Sequence, residues 1–343
     1  MNKVNELVEQ LHDLLDSGAF PPGARFPSEY ELQERFAVSR FTANKAVALL
    51  AAEGLLERGV RGSGTYVKKT KVFPKGWIAV IEDFKHPYNM GMVAGAAQEA
   101  FAQGYMISTF CPETGGMSNL INQLNFSDCV GILGMLFQLD IFPSYFQKPV
   151  IHLDSVAEPQ PGQSSHYVMC DNYGAATEMM EKVLASGKKN VVTLGISNSL
   201  TRKRRLEGFL DVMGKYGIED AKQREFLIRH GSQHEVKIAL RKILQKFPDV
   251  DFIVTDSDDI AFHIIQVWNA ERPDWKKQTG ISGFGNVRGI SNLHNLPTVD
   301  QHPWHIGSEA VKVLLEIAQS DDVINHPPVH VEVPAEIINA EFI

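Results

Sequence analysis

A chain of 343 residues is too long for one small domain and suits two or three compact units. With 44% hydrophobic and 22% charged residues it has an ordinary globular composition, which excludes a disordered chain, and no apolar run approaches the length that spans a bilayer. The net charge of −8 requires any affinity for a polyanion to come from a local basic patch. Met1 to Glu9 is polar and lacks the apolar stretch of a secretion signal. Cys111, Cys129 and Cys170 are isolated, without metal-ligand spacing, and read as buried thiols in a reducing compartment. The expectation is a cytoplasmic protein with no cofactor, no metal and no membrane contact.

Residues 3–17 place Val4, Leu7, Val8, Leu11, Leu14 and Leu15 at helical spacing and predict a first helix. In the stretch Pro21 to Val67, Ser28 and Glu31 form a capping-box pair that starts a second helix, with Leu32 and Phe36 inward. Ala37-Val38 makes a turn, and Ser39 caps a third helix that buries Val47, Leu50 and Ala51. Gly54 ends it, being free to take positive φ. Leu55–Arg58 and Thr65–Val67 read as strands joined by a glycine-punctuated tip. Two capped helices, a tight turn and a hairpin in this order predict a winged helix-turn-helix over residues 1–69.

Charge is divided along this module. Glu6, Glu9, Asp13, Asp16, Glu29, Glu31 and Glu34 crowd the first helices, whereas Arg40, Lys45, Arg58, Arg61, Lys68, Lys69 and Lys71 follow. One basic face is the footprint of phosphate contacts; the bland alternative is a solvated surface on a protein-interaction domain. The segments PPGxxxPSExEL, VSRxT, EGLLER and GxGTYV resemble the N-terminal domain of GntR-family transcription regulators. The resemblance implies that the third helix enters the major groove and the wing reaches toward the minor groove. By position it points to Ser39, Arg40, Thr42, Asn44 and Lys45 on the helix, and to Arg58, Arg61 and Gly62 in the wing. Tyr30 stands where many members have arginine, and Asn44 where several do. Asparagine reads adenine edges where arginine favours guanine, so Arg40 and Asn44 are the expected base readers.

Residues 70–76, with Pro74, read as a linker. From Trp77 short apolar runs alternate with amphipathic helices. The first series predicts strands at 77–81, 105–108, 130–134 and 150–153, with a helix at 90–103. The second predicts strands at 167–170, 191–194, 226–228, 252–254 and 280–282, with helices at 173–186, 201–216, 234–246 and 259–270. This predicts an α/β unit over 77–343, with parallel sheets covered on both faces in two lobes, and a cleft at the strand ends. Gly95, Gly104-Tyr105, Val130-Gly131-Ile132, Asp171-Asn172-Tyr173-Gly174-Ala175-Ala176, Arg205-Leu206-Glu207-Gly208-Phe209, Gly283-Phe284 and Pro297-Thr298-Val299-Asp300-Gln301 resemble the effector domain of the lactose/galactose-repressor (LacI/GalR) group. That group is itself similar to periplasmic sugar-binding proteins. A GntR-type reader fused to such a sensor resembles the arabinose-repressor (AraR) subgroup.

Sugars need bidentate polar groups and an apolar ring face inside an enclosed cleft. Arg205 matches the family's ligand-contacting arginine. Asp171 either contacts ligand or caps a helix. Ser257 and Asp258 follow a strand end, Gln301 matches a cleft glutamine, and Tyr88 and Asn89 follow the first strand; Asp83 and His86 are weaker candidates. The family commonly reads Gly-Phe-Asp where this chain has Gly283-Phe284-Gly285, and Asn286 is a neutral substitute for the missing carboxylate. No Gly-x-Ser-x-Gly elbow, phosphate loop or His-Glu-x-x-His is present, so no enzyme is expected. His302 and His305, like His326 and His330, lack a third ligand. The resemblance implies a sugar-responsive regulator, a repressor released from a palindromic operator on double-stranded DNA by a sugar or sugar phosphate, acting as a homodimer. A ligand-activated activator is the alternative, and a carbohydrate-binding protein or enzyme with a protein-contacting winged domain a further one.

Overall fold

The computed structural model describes all residues except 1–2, 60–62, 69–73, 83–85, 113–115, 136–141, 143–144, 155–165, 197–199, 273 and 275–277. The chain divides into two compact units, Met1–Lys75 and Gly76–Ile343.

The first unit contains α1 (Lys3–Asp16), β1 (Arg25–Phe26), α2 (Glu29–Phe36), α3 (Arg40–Ala52), β2 (Leu56–Arg58) and β3 (Thr65–Val67). Both halves of the capping box on α2 are made: the Ser28 hydroxyl accepts from the Glu31 N–H, and the Ser28 N–H donates to Glu31 Oε2 at 2.7 Å. Those bonds hold the Glu31 carboxyl below the usual carboxylate range. Ala37 turns the chain in the left-handed region at φ 50°, and Gly54 does the same at φ 80° beyond α3. Leu7 and Leu11 of α1, Leu32 of α2 and Val47 and Leu50 of α3 form one core; full burial of a leucine such as Leu50 stabilises by roughly 1.5–3 kcal/mol. Strand β1 has no counterpart in the sequence reading. It pairs with β3 and makes an antiparallel sheet ordered β1-β3-β2, with Phe26 buried beneath it. Two residues are too short to show alternation, so only the fold reveals the strand.

The second unit is built on two parallel sheets. The six-stranded sheet has the order β14-β8-β7-β6-β4-β5, from β4 (Trp77–Ile81), β5 (Met106–Phe110), β6 (Ile132–Gly134), β7 (Val150–Leu153), β8 (His166–Cys170) and β14 (His330–Val333). The four-stranded sheet has the order β10-β9-β11-β12, from β9 (Val191–Ile196), β10 (Glu225–Ile228), β11 (Phe252–Thr255) and β12 (Gly280–Ser282). A two-stranded antiparallel ribbon joins β13 (Thr298–Asp300) to β15 (Glu336–Ile338). Side-chain alternation explains why both faces are covered. On the first sheet Ile78 and Val80 share a core with Met92 and Ala96 of α4 (Pro87–Ala102) and Ile306 and Ala310 of α11 (Pro303–Ala318). Their neighbours Ala79 and Ile81 belong to another core with Ile121 and Leu124 of α5 (Met117–Phe126). On the second sheet Val191 and Val254 join the core of α6 (Asn172–Ala185) and α7 (Leu200–Lys215). Val192 and Ile253 join that of α8 (Gln233–Lys246) and α9 (Asp258–Glu271).

Three readings need correction. Cys111 is exposed, whereas Cys129 and Cys170 are buried as expected. The strand at 167–170 belongs to the first sheet, between β7 and β14, and not to the second series. The apolar pattern of a buried parallel strand does not say which sheet it joins. Helix α4 starts at Pro87 and not at Met90, because His86 caps it by accepting from the Tyr88 N–H and Pro87 fits the first helical position. Helices α4 and α11 cross backbone to backbone: a Cβ on Gly95 would lie 1.9 Å from the Trp304 carbonyl oxygen, and one on Gly307 1.8 Å from that of Met92.

Candidate ligand cleft and nucleic-acid interface

The carboxyl ends of strands from both sheets open onto one cavity of about 430 Å³, within the range of small-molecule sites. Arg205 projects into it from α7 and is nearly buried. Its Nε donates to Asn172 Oδ1 and one terminal nitrogen to the Asp256 carbonyl, both at 2.7 Å. The guanidinium lies 3.8 Å from the Phe284 ring centroid. Two bonds and a stack fix the plane of the fork, which is how arginine presents paired donors without losing side-chain freedom on binding.

Asp154 directly follows β7, in the left-handed region at φ 45°, and is buried. It accepts from the Cys170 N–H at 3.2 Å and from Gln301 Nε2 at 3.1 Å. Burial pushes its carboxyl up, with the Arg205 charge opposing. Burial and the Asp154 charge together raise the neighbouring Tyr88 phenol well above its usual range, although the Tyr88 hydroxyl makes no hydrogen bond of ordinary geometry. Asp258, at the first position of α9, accepts from Thr298 Oγ1 at 2.5 Å and from the Val287 N–H at 2.6 Å. Its carboxyl is pushed up to about 6, chiefly by burial. Ser257 caps the same helix by accepting from the Ile260 N–H. His86 meets Asp259 across the cavity, and Arg202 donates to Asp256 at 2.6 Å. Asn89 donates to Glu82 at 3.0 Å.

In the first unit Ser39 caps α3: its hydroxyl accepts from the Thr42 N–H at 3.1 Å and bonds the Thr42 hydroxyl at 2.9 Å. Arg40, Asn44 and Lys45 are exposed, on the face opposite Ala43, Ala46, Val47 and Leu50. Arg58 is exposed on β2, while Arg61 and Gly62 lie outside the described residues. Cations beside a helix N-terminus whose amides point outward can grip phosphate, and side chains on that helix can reach base edges.

The family description "Periplasmic binding proteins and sugar binding domain of LacI family" matches residues 77–337, and "Bacterial regulatory proteins, gntR family" matches 3–67. The chain belongs to the LacI-type sugar-binding family, with a GntR helix-turn-helix at its N-terminus. Among curated proteins it is similar to the transcriptional repressor NagR of Bacillus subtilis (strain 168), 37% identical over 93 residues, or 26% of this chain and 37% of that protein. It is also similar to the arabinose metabolism transcriptional repressor of Geobacillus stearothermophilus, 29% identical over 114 residues, or 31% of this chain and 30% of that protein. The matched segments thus span well under half of these relatives. A solved structure of the transcriptional regulator CelR-cellobiose complex superposes with a TM-score of 0.67 at 17% identity, covering 88% of this chain and 90% of that one. Transcription regulator CcpA of Lactococcus lactis gives 0.65 at 17% identity, covering 77% and 97%.

In this LacI-type sensor the cavity wall includes Arg205, Asp258, Ser257, Gln301, Tyr88 and Asn89, together with His86; Asp83 lies outside the described residues. Asp171 is not part of the wall: it accepts from the Gly174 N–H at 2.8 Å and caps α6. Asn286 is also outside it. Its amide donates to Asp300 at 2.8 Å and accepts from Ser291 at 2.9 Å. Thr42 is only 9% exposed and serves the helix cap. The sequence reading omits Asp154, Thr201, Arg202, Asp259 and Phe284. Asp154 had a signal, a carboxylate directly after the apolar run Val150–Leu153. Gly285 lines the wall at φ 134°, a conformation that an aspartate adopts only with strain. Among the described residues no helix is long and apolar enough to cross a membrane, and no group of histidine, cysteine and carboxylate side chains could hold a metal ion.

Proposed function

We propose that this protein is a cytoplasmic transcription regulator that binds double-stranded DNA through its GntR unit and a sugar in the cleft of its LacI-type unit. The observation that carries the reading is Arg205, held over the Phe284 ring at the mouths of strands from both sheets. A planar donor fork against an aromatic face suits a ring bearing adjacent hydroxyls. The wall supports a neutral sugar better than a sugar phosphate. Arg202 and Arg205 are already engaged by Asp256 and Asn172, and Asp154, Asp258 and Asp259 stand opposite them. The protein acts as a repressor and a homodimer on a palindromic operator whose half-sites follow its two-fold symmetry. Sugar stabilises one lobe arrangement, and operator affinity changes by the ligand's differential affinity for the two states, typically about 1–3 kcal/mol. Catalysis has no part in this scheme.

Thermal unfolding against a panel of free and phosphorylated pentoses and hexoses tests the cleft. A free sugar raises the midpoint by mass action, and Arg205→Ala abolishes the rise. A response to phosphorylated sugars alone reverses the assignment of ligand class, and no response to any removes sugar as the effector. Gel shifts with and without the responding sugar give the sign; tighter DNA binding with sugar makes the protein an activator or co-repressed regulator. A salt series tests the DNA unit, because affinity resting on Arg40 and Lys45 falls steeply with ionic strength.

A further inference from the structure

The exposed stripe of α3 contains a group that polar recognition does not use. Ser39 caps the helix, and Arg40, Phe41, Asn44, Lys45 and Ala48 all lie in solvent. Those positions follow i, i+1, i+4, i+5 and i+8 spacing, which is one continuous face. Phe41 is 74% exposed in the first turn, directly beside Arg40, while Ala43, Ala46, Val47 and Leu50 supply the buried side. The core of this unit closes without the Phe41 ring. The ring stands on the same exposed face as Arg40, Asn44 and Lys45, so where that face enters a groove it meets the groove floor beside them and packs best on an apolar group. Only thymine offers one on the major-groove floor, its C5-methyl group.

Resting on the reading of α3 as the groove-entering helix, we propose that Phe41 determines specificity by packing its ring on a thymine methyl. That thymine lies in the base step next to the one read by Arg40. Arg40 and Asn44 then read hydrogen-bonding edges on either side of an apolar contact, and each half-site carries a thymine that no hydrogen bond specifies.

The test uses the full-length protein and a duplex that it selects from a random-sequence library. Each thymine of the half-site is replaced singly by deoxyuridine, which removes the methyl group and leaves every hydrogen-bonding edge intact. One replacement weakens wild-type binding about fourfold, the worth of one buried methyl group. The same replacement has no effect on Phe41→Ala and keeps its effect on Phe41→Leu. Because the side chain is exposed, both variants retain the wild-type unfolding midpoint, which shows that a loss does not come from misfolding. A uracil series in which no position matters, or an equal loss in Phe41→Ala, overturns the contact while DNA binding stands. Enrichment of no duplex at all overturns both the contact and the DNA-reading assignment on which it rests.

Discussion

His86 Nε2 and Asp259 Oδ2 stand 3.1 Å apart across the cleft and tie the first turn of α4, after a strand of one sheet, to the first turn of α9, after a strand of the other. Since His86 Nδ1 accepts from the Tyr88 N–H, its Nε2 carries the proton and donates to Asp259 even from a neutral ring. That bond is the main cause holding Asp259 below the usual carboxylate range.

Cutting this tie has a small and directed effect. The two side chains are 37% and 55% exposed, so the pair is worth at most about 1 kcal/mol. Asp259→Asn is expected to weaken effector binding by up to about fivefold, measured by calorimetric titration, with unliganded operator affinity unchanged. The folded pKa of Asp259 is depressed, so its contribution is complete above the unfolded value near 3.8 and is lost only as pH falls below it. The titration is therefore flat, as far as Asp259 is concerned, from pH 5 to 8.

Arg205→Lys is expected to behave as a loss and not as a conservative change. A single ammonium cannot sit over the Phe284 ring while donating to both Asn172 and the Asp256 carbonyl as the guanidinium fork does. One buried acceptor loses its donor, which costs about 1–3 kcal/mol. Urea unfolding should show that decrease, and the sugar-dependent rise in melting temperature should vanish. A full rise in the lysine variant would place Arg205 outside the ligand contacts.

Asp258 makes stability depend on pH in the opposite sense to a surface carboxylate. Its folded pKa, about 6, lies above the unfolded 3.8, so the folded state holds the proton more tightly. The contribution is greatest below the unfolded value, falls as pH rises toward 6 and is level above that. The change amounts to about 3 kcal/mol. Between pH 4 and 7 the stability of wild type minus that of Asp258→Asn, from urea midpoints, should decline by most of this, about 2 kcal/mol. Parallel pH profiles for the two proteins would show that Asp258 ionises as in the unfolded chain.

The crossing of α4 and α11 leaves no room for a methyl group. Gly95→Ala drives its Cβ into the Trp304 carbonyl, and backbone on both sides has to separate. A cost of about 2 kcal/mol or more is expected, visible as a lower unfolding midpoint. Gly307→Ala should act on the same contact, and the double variant should cost less than the sum of the two.

What was legible in the sequence was local. Ser28, Glu31, Ser39 and Gly54 announce helix ends because each acts within three or four residues of its own position. Arg205, Asp258 and Gln301, which line the cavity, each stand in a short motif beside a strand or helix end. Pairing was not legible: β8 reads as a buried strand, yet its sheet is decided by β7 on one side and β14 on the other. Asp171 and Asn286 stand outside the cavity wall for a related reason. Asparagine and aspartate at a helix start or turn serve the backbone as readily as a ligand, and their hydrogen bonds here go to Gly174, Asp300 and Ser291.

The placement of β14 also governs the order in which the protein can be made. His330 pairs beside Tyr167, so the rim of the six-stranded sheet at β8 stays open until residues 330–333 have left the ribosome. During that interval the second sheet, formed entirely from residues 191–282, can already close. The uncovered backbone of β8 is meanwhile a template for pairing with another chain. Slow translation beyond Ser282 would prolong that exposure, and the yield of soluble protein should respond to the speed of synthesis over this last segment.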